Sequence, residues 1–409
     1  MKPPAPRPRA HSRAMLVAFW VFLIVFALGV IEAAAAIAVH MLASASRTSM
    51  MLWNPDLDRA RAAWKANATK VEPELSWPLR DDAQSGERDE SGAKRNADFP
   101  EEVKPCGSAY GDSFIWGDDV PRAQGWIEQL SRLIGCRVAN YGVRGYGTDQ
   151  AYLRYLSMTH DRGRFAILGI FPEDIVRNVN QYRAFVGFGV EPFLVKGRFI
   201  FNATATLQWI GRPSLDEQRY LKLHEDSSAV LPHEYLIPGT RDGPVAVGFP
   251  YTLVLTRLAM APRLWNRVRG RTPWSDFYRA EHPSGAVPLT IAITKAFAEE
   301  ASRRGAHALV VMMPSEGSFR THEKFGESDY APFVAAAAAA GIDVFDPMRD
   351  LSAALRGQNY CTIYVAACEG HYGGHFSVLG GALVAQVVGA ELKRRRLAPY
   401  LPSSASVGG

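Results

Sequence analysis

The stretch Cys106-Gly-Ser-Ala-Tyr-Gly-Asp-Ser-Phe-Ile-Trp-Gly117 places small residues before a serine and apolar and aromatic residues after it. This pattern predicts a tight turn at Ser113 between a strand and a helix. A serine in such a turn can point its hydroxyl outward while its own N–H lies at the helix start, where negative charge is stabilised. A reacting nucleophile needs that placement, but an ordinary turn with a capping serine has the same three residues Gly-Asp-Ser.

Beyond this stretch, short apolar runs alternate with helical ones. Residues 137–141 predict a strand, and the glycine-rich turn Gly142-Val-Arg-Gly-Tyr-Gly147 leads into a helix over residues 148–160. Residues 165–171 form a continuous apolar run that is typical of a buried parallel strand. Because strands and helices alternate, we expect an α/β fold with a parallel sheet and right-handed crossovers.

Composition divides the chain into regions. They are a Pro/Arg-rich tail (1–13), an apolar helix (14–42), a stalk whose polar second half has little to bury (43–102), the α/β domain (103–395) and a terminal tail (396–409). Within the domain, residues 183–288 interrupt the strand–helix alternation. We expect them to form an insertion that caps one end of the sheet.

The apolar segment Met15–Ile37 has 23 residues and one charge, Glu32, and is long enough to cross a bilayer. Four basic residues precede it, and the next Lys or Arg after it is Arg47. The positive-inside rule therefore predicts a single-pass inner-membrane protein with a cytoplasmic N-terminus and a periplasmic domain. The alternative is a cleaved signal peptide, for which Ala43-Ser-Ala45 offers a small-residue site.

Charge and cysteine content exclude some classes of function. The net charge of +5 is small for 409 residues, and no basic stripe with interleaved aromatic residues suggests a nucleic-acid partner. The four cysteines follow the apolar segment and form no Cys-x-x-Cys pair, so we expect disulfides and neither a metal nor a cofactor. Three connectivities are open, and we favour Cys106–Cys136 with Cys361–Cys368.

Four blocks of sequence, in order, resemble the SGNH (GDSL-type) hydrolase family. They are Gly111-Asp-Ser-Phe-Ile-Trp-Gly117, Asn140-Tyr-Gly-Val-Arg-Gly-Tyr-Gly-Thr-Asp-Gln150, Gly169-Ile-Phe-Pro-Glu-Asp174 and His375-Phe-Ser-Val-Leu-Gly380. The resemblance covers residues 103–182 and 290–395. The blocks are most similar to membrane-anchored bacterial members associated with extracellular polysaccharide.

The resemblance implies a three-layer α/β/α, flavodoxin-like fold and ester chemistry. Ser113 would be the nucleophile and His375 the general base, since a serine hydroxyl needs an imidazole to take its proton. The oxyanion hole would combine the N–H groups of Ser113 and Gly145 with the side chain at position 173. Gly145 has no Cβ, so its N–H can approach a substrate oxygen closely.

Two positions depart from the family pattern. Position 173 is Glu173, where the family usually has Asn. An ionised carboxylate there would repel an oxyanion. An active site therefore requires that Glu173 is protonated or turned away, or that another group donates to the oxyanion. The family's acid lies two or three residues before the histidine, where this chain has Tyr372 and Gly373. Glu369 is the nearest acid, and Asp174 is a further candidate; a residue from elsewhere or a backbone carbonyl can also orient an imidazole.

The sequence thus predicts a membrane-anchored serine esterase that removes O-acyl, chiefly acetyl, groups from a glycan through an acyl-enzyme on Ser113. His371, which follows Glu369-Gly370, is a second choice for the base. One alternative is an O-acyltransferase with the same site. The other is a catalytically weakened glycan-binding or scaffold protein of a polysaccharide-biosynthesis complex. A hydrogen bond between Ser113 and His375 would favour an enzyme over the scaffold.

Overall fold

The computed structural model of the chain describes residues 13–44, 51–70, 72, 74–76, 86–187, 191–365 and 374–398. Its strands are β1 (Leu52–Trp53), β2 (Gly107–Tyr110), β3 (Val138–Asn140), β4 (Phe165–Ile170), β5 (Arg198–Phe201), β6 (Leu207–Ile210), β7 (Val245–Ala246), β8 (His307–Met312) and β9 (Val344–Phe345). Its helices are α1 (Arg13–Ser44), α2 (Leu57–Asn67), α3 (Ser113–Trp116), α4 (Trp126–Ile134), α5 (Thr148–Ser157), α6 (Pro172–Arg177), α7 (Glu217–Glu225), α8 (Ser227–Val230), α9 (Tyr251–Met260), α10 (Pro262–Val268), α11 (Ala286–Arg303), α12 (Glu316–Phe325), α13 (Ala331–Ala339), α14 (Met348–Ala354) and α15 (Val378–Arg394).

A five-stranded parallel sheet with the order β3-β2-β4-β8-β9 forms the centre of the domain. Numbered within this sheet, the order is 2-1-3-4-5, which is the flavodoxin-like order. The α/β fold and its flavodoxin-like strand order are therefore confirmed. Strands β2 and β4 are buried along their whole length, as the continuous apolar run of β4 predicts.

Helices cover both faces of the sheet. Helices α4 and α15 pack on each other, as do α5 and α11. Right-handed crossovers place these two pairs on opposite faces, which gives three layers. Chain order reverses between β2 and β4, and open α/β sheets bind ligands outside the carboxyl ends of the strands at such a point. The turn at Ser113 follows β2 and lies at this point.

A disulfide joins Cys106 and Cys136, which is the pairing that the sequence analysis favours. It links the residue before β2 to the connection between α4 and β3. The second predicted pair includes Cys368, which lies outside the described residues.

Residues 51–70 and 86–102 differ from the solvated stalk that composition predicts. Ala93 is fully buried, and the Lys94 ammonium is buried 3.7 Å from the Glu128 carboxylate. The solvated stalk was predicted because this part of the chain has few apolar side chains to bury. Charged side chains can also be buried when they are paired, and here they tie the segment to the sheet domain.

The insertion is built from a β5–β6 hairpin and the helices α7 to α10. Strand β7 of the insertion pairs in parallel with β1, so residues that precede the sheet domain complete this region. A separate apolar cluster joins the insertion to α1: Val39 of α1 is buried with Val254 and Leu258 of α9.

Candidate active site

Helix α3 begins with Ser113 at the carboxyl end of β2. Asp112 caps it by accepting a hydrogen bond from the Phe114 N–H at 2.9 Å, so Asp112, and not Ser113, is the capping residue. Gly111 precedes the cap because a Cβ there would lie 2.4 Å from Ile115 and 2.9 Å from the Gly169 carbonyl oxygen. The small residues before Ser113 thus allow the turn to pack against β4.

Three side chains form a continuous hydrogen-bonded chain at this turn. Ser113 Oγ lies 2.7 Å from Nε2 of His375, and Nδ1 of His375 lies 2.7 Å from Oδ2 of Asp119. Asp119 Oδ2 also accepts from the His375 backbone N–H at 3.3 Å. An ionised Asp119 accepts from Nδ1, so Nε2 is left to accept the serine proton. This is the arrangement of a serine nucleophile, a base and an orienting acid.

Asp119 remains ionised at this site. Partial burial raises its pKa, but the hydrogen bonds from the side chain and backbone of His375 and the histidine charge outweigh burial, so its pKa lies below the usual value. Ser113 is 8% exposed, whereas the Asp119 side chain is 46% exposed. The nucleophile therefore lies in a nearly closed turn, and the acid lies at the rim.

Asp119 was not predicted from the sequence, because the family pattern has the acid just before the histidine. Of the two acids that were predicted, Asp174 contacts Arg177, and the imidazole contacts Asp119 instead, so the assignment of Asp174 as the triad acid is wrong. Glu369 and the second-choice base His371 lie outside the described residues. The available signal was the pair Asp118-Asp119 directly after Gly117, which ends α3 in a left-handed conformation.

The glycine-rich second block packs directly on α3. The Asn140 side-chain amide donates to the Ile115 carbonyl at 2.9 Å and accepts from the Gly142 N–H at 3.0 Å. A Cβ on Gly142 would lie 2.5 Å from the Trp116 nitrogen, so only glycine permits this contact. Gly145, with φ of +74°, has the left-handed conformation that glycine adopts readily, in the loop between β3 and α5.

Glu173 is held by an arginine. Its Oε1 accepts from Nη2 of Arg177 at 3.2 Å and from Nε at 3.3 Å. Nη1 of the same guanidinium donates to the carboxylates of Asp112 and Asp174, at 3.2 and 2.8 Å, and to the Tyr146 carbonyl oxygen at 2.8 Å. Of the alternatives raised by the sequence, the structure thus shows a carboxylate that turns toward a buried cation.

Two of the carboxylates around Arg177, those of Asp112 and Asp174, have raised pKa values. Burial raises the pKa of Asp112, although Arg177 partly offsets this effect. Burial and the neighbouring Asp112 raise the pKa of Asp174 well above its usual value. Among the described residues, no group of three His, Cys, Asp or Glu side chains is arranged to hold a metal ion.

A cavity of about 310 Å³ opens beside the site, between the carboxyl end of the sheet and the insertion. Phe171 and Glu173 form its inner wall, and Phe171 stacks on Phe114, which follows the nucleophile. The insertion contributes Trp274 and Tyr278. This volume is at the lower end of the range for small-molecule sites.

No protein-family model matches the chain, and no curated protein matches it. The chain is similar to the solved structure of a protein assigned to the lipolytic G-D-S-L family from Desulfitobacterium hafniense, with 11% identity over 69% of this chain and 97% of the other and a TM-score of 0.30. It is also similar to a G-D-S-L family member from Veillonella parvula, with 14% identity over 70% of this chain and 98% of the other and a TM-score of 0.31. A protein from Lactobacillus plantarum has 12% identity over 71% of this chain and 97% of its own, with a TM-score of 0.32. Two of these three are described as G-D-S-L proteins, the family that the four sequence blocks resemble.

Proposed function

We propose that the protein is a serine esterase of SGNH type with Ser113 as nucleophile, His375 as general base and Asp119 as the acid that orients the imidazole. The observation that supports this proposal most strongly is the pair of 2.7 Å contacts on the two nitrogens of one histidine. The scaffold alternative gives no reason for a serine to lie at hydrogen-bond distance from a histidine that is itself fixed by a carboxylate.

In the proposed reaction, His375 Nε2 takes the hydroxyl proton as Ser113 Oγ bonds to the ester carbonyl carbon. The carbonyl π electrons move to oxygen, and the N–H groups of Ser113 and Gly145 stabilise this oxyanion. When the oxyanion collapses, the alcohol leaves with the proton from His375 and an acyl-enzyme remains. Water then attacks the acyl group through the same steps, which releases the acid and restores the serine.

The proposed substrate is an acylated glycan, and the proposed acyl group is acetyl. This part of the proposal rests on the resemblance to members associated with extracellular polysaccharide. The cavity beside Glu173 offers room for the alcohol portion of the ester. If a sugar hydroxyl there replaces water in the second half-reaction, the protein is an O-acyltransferase. The proposed membership of a polysaccharide-biosynthesis complex rests on the same resemblance.

We also propose that α1 anchors the protein in the inner membrane, with the catalytic domain in the periplasm. Within the described residues, α1 is long and apolar enough to cross a membrane. Cleavage after Ala43-Ser-Ala45 would remove Val39 from the cluster that it forms with Val254 and Leu258. This packing favours an uncleaved anchor over a signal peptide, and the disulfide fits an oxidising compartment.

The test is hydrolysis of p-nitrophenyl acetate by the full chain in detergent. We expect Ser113→Ala to abolish turnover and to abolish labelling by a serine-directed phosphonate. The matched control is Ser284→Ala, because the Ser284 hydroxyl also contacts a histidine, His282, at 2.9 Å. Turnover that survives in Ser113→Ala, or labelling that maps to another residue, would overturn the assignment. Adding an acylated sugar donor and a sugar acceptor then separates transfer from hydrolysis by product analysis.

A further inference from the structure

The only acidic residue in the apolar segment Met15–Ile37 caps a helix of the insertion. Glu32 of α1 accepts hydrogen bonds from the Tyr251 N–H, from the Thr252 N–H at 3.3 Å and from the Thr252 hydroxyl at 2.8 Å. Pro250, which precedes α9, provides no side-chain cap. A carboxylate satisfies the free N–H groups at a helix start, so Glu32 fixes the first turn of α9 beside α1.

This contact sets the depth of α9 in the membrane. Glu32 lies 17 residues beyond Met15, or about 26 Å along α1 at 1.5 Å per residue. The hydrocarbon core of a bilayer is about 30 Å thick. If the core begins at Met15, two residues after the basic Arg13, the first turn of α9 lies inside the core by a few Å.

Phe249, which precedes α9, lines a shallow groove against the same part of α1. The groove extends from Leu28 past Glu32 to Ala36. The Phe249 side chain is 80% exposed, and Leu253, four residues further along, is 43% exposed. Exposed apolar side chains beside the lipid-facing surface of a spanning helix are in the environment of acyl chains and not of water.

The remainder of α9 fits an exit from the membrane. Val254 and Leu258 are buried in one cluster with Val39, which lies seven residues beyond Glu32 on α1. Arg257 is exposed and lies about 9 Å beyond Tyr251 along α9. A cation at this level is suitably placed for lipid phosphates, and Lys or Arg side chains extend toward such groups.

We propose that Phe249 and Leu253 insert into the acyl chains of the leaflet on the side of the catalytic domain, so that the protein has a second membrane contact besides α1. The occupant of this surface is lipid, since Phe249 lies against the segment of α1 around Glu32, which the proposed anchoring places within the bilayer. This inference rests on the proposed anchoring of α1. As a consequence, the insertion is attached to the membrane in two ways, through its packing on α1 and through the inserted side chains at the start of α9. The same insertion lines the cavity beside the active site.

The test uses nitroxide spin labels on the full chain in phospholipid nanodiscs. Phe249→Cys carries the label of interest, Val25→Cys in the middle of α1 is the lipid reference, and Thr204→Cys in the exposed β5–β6 turn is the water reference. The described cysteines of the wild-type chain are all disulfide-bonded, so the unsubstituted protein gives the background. Collisions with oxygen report lipid, and collisions with a water-soluble nickel complex report water.

We expect the oxygen-to-nickel accessibility ratio at position 249 to resemble that at Val25 and to exceed that at Thr204 at least about tenfold, because charged or polar solutes are excluded from hydrocarbon. A ratio at 249 equal to that at Thr204, with Val25 still in lipid, would overturn the second contact but keep the anchor. Water access at Val25 would overturn the anchor and the inference with it. Protection of position 249 from both reagents would indicate a protein partner and would overturn the lipid assignment.

Discussion

Replacing Asp119 by asparagine should slow ester hydrolysis about 10²- to 10³-fold without unfolding the protein. The Asp119 carboxylate accepts two hydrogen bonds from His375, at 2.7 and 3.3 Å. A hydrogen bond to a charged group contributes about 1.5–3 kcal/mol, which corresponds to about ten- to 150-fold in rate. An asparagine can also donate to Nδ1 and so favour the wrong imidazole tautomer, which lowers turnover about 10⁴-fold where the acid is fully buried. Because the Asp119 side chain is 46% exposed, water replaces part of the lost interaction, and we expect a value between these limits.

The assay is kcat/KM for p-nitrophenyl acetate, measured beside the melting temperature of each variant. The matched control is Asp118→Asn. Asp118 precedes Asp119 in the chain but pairs with Arg144; the Asp118 side chain is 12% exposed and that of Arg144 is 56% exposed. Because solvent screens the Arg144 end of this pair, the pair contributes about 1 kcal/mol, and the control should remain within about fivefold of the wild type.

The reasoning would be refuted if Asp119→Asn stayed within fivefold of the wild type while Ser113→Ala, expected to lose about 10⁵-fold or more, was inactive. The imidazole would then be oriented by another group. Equal losses in Asp118→Asn and Asp119→Asn would also contradict it, because a change of local charge, and not the contact with His375, would explain both.

Three further predictions concern the oxyanion side and the fold. Glu173→Gln should raise turnover several-fold, because it restores the amide donor that the family pattern has at this position of the proposed oxyanion hole, while its oxygen can still accept from Arg177. Gly145→Ala should destabilise the fold by about 1–2 kcal/mol, the cost of a left-handed non-glycine residue, and should also lower turnover by displacing an N–H from the oxyanion. Burial lowers the pKa of His224 from 6.5 to about 4. Between these values the unfolded chain binds a proton that the folded chain does not, so stability falls by about 3 kcal/mol as the pH falls through this window, and His224→Gln should remove this loss.

Each of these predictions has a matched control. Glu316→Gln alters the other acid on the cavity wall and should leave turnover unchanged. Gly357→Ala has a similar φ of +83° with nothing within 4 Å of an added Cβ, so it should lose stability without losing turnover. For His224, denaturant unfolding at pH 7 and pH 4.5 is compared with that of His307→Gln, an exposed histidine. Reduced turnover in Glu173→Gln, unchanged turnover in Gly145→Ala or an unchanged pH dependence in His224→Gln would each contradict its prediction.

Alternating apolar runs predicted the parallel α/β sheet, whereas the resemblance of the four sequence blocks implied the flavodoxin-like strand order and two of the three residues in the hydrogen-bonded chain. Alternating apolar runs specify a parallel sheet, and the turn at Ser113 and the small residues beside His375 are visible in short windows. Asp119 was missed because its role depends on where a loop of the folded chain meets a residue 256 positions away. The burial of Lys94 beside Glu128 was missed for the same reason, since a pairing of distant charges leaves no local pattern.

The two ends of the imidazole are held by one short peptide. Ser113 and Asp119 lie six residues apart, joined by α3 and the left-handed turn at Gly117, and only His375 comes from a distant part of the chain. A small displacement of this peptide moves the Ser113 hydroxyl and the Asp119 carboxylate together, so the distance between them is preserved. Only the position of the His375 imidazole relative to this peptide must then be accurate. Residues 113–119 therefore set the distance between the nucleophile and the acid within one local segment, and the C-terminal region has to place only one catalytic side chain, His375, between them.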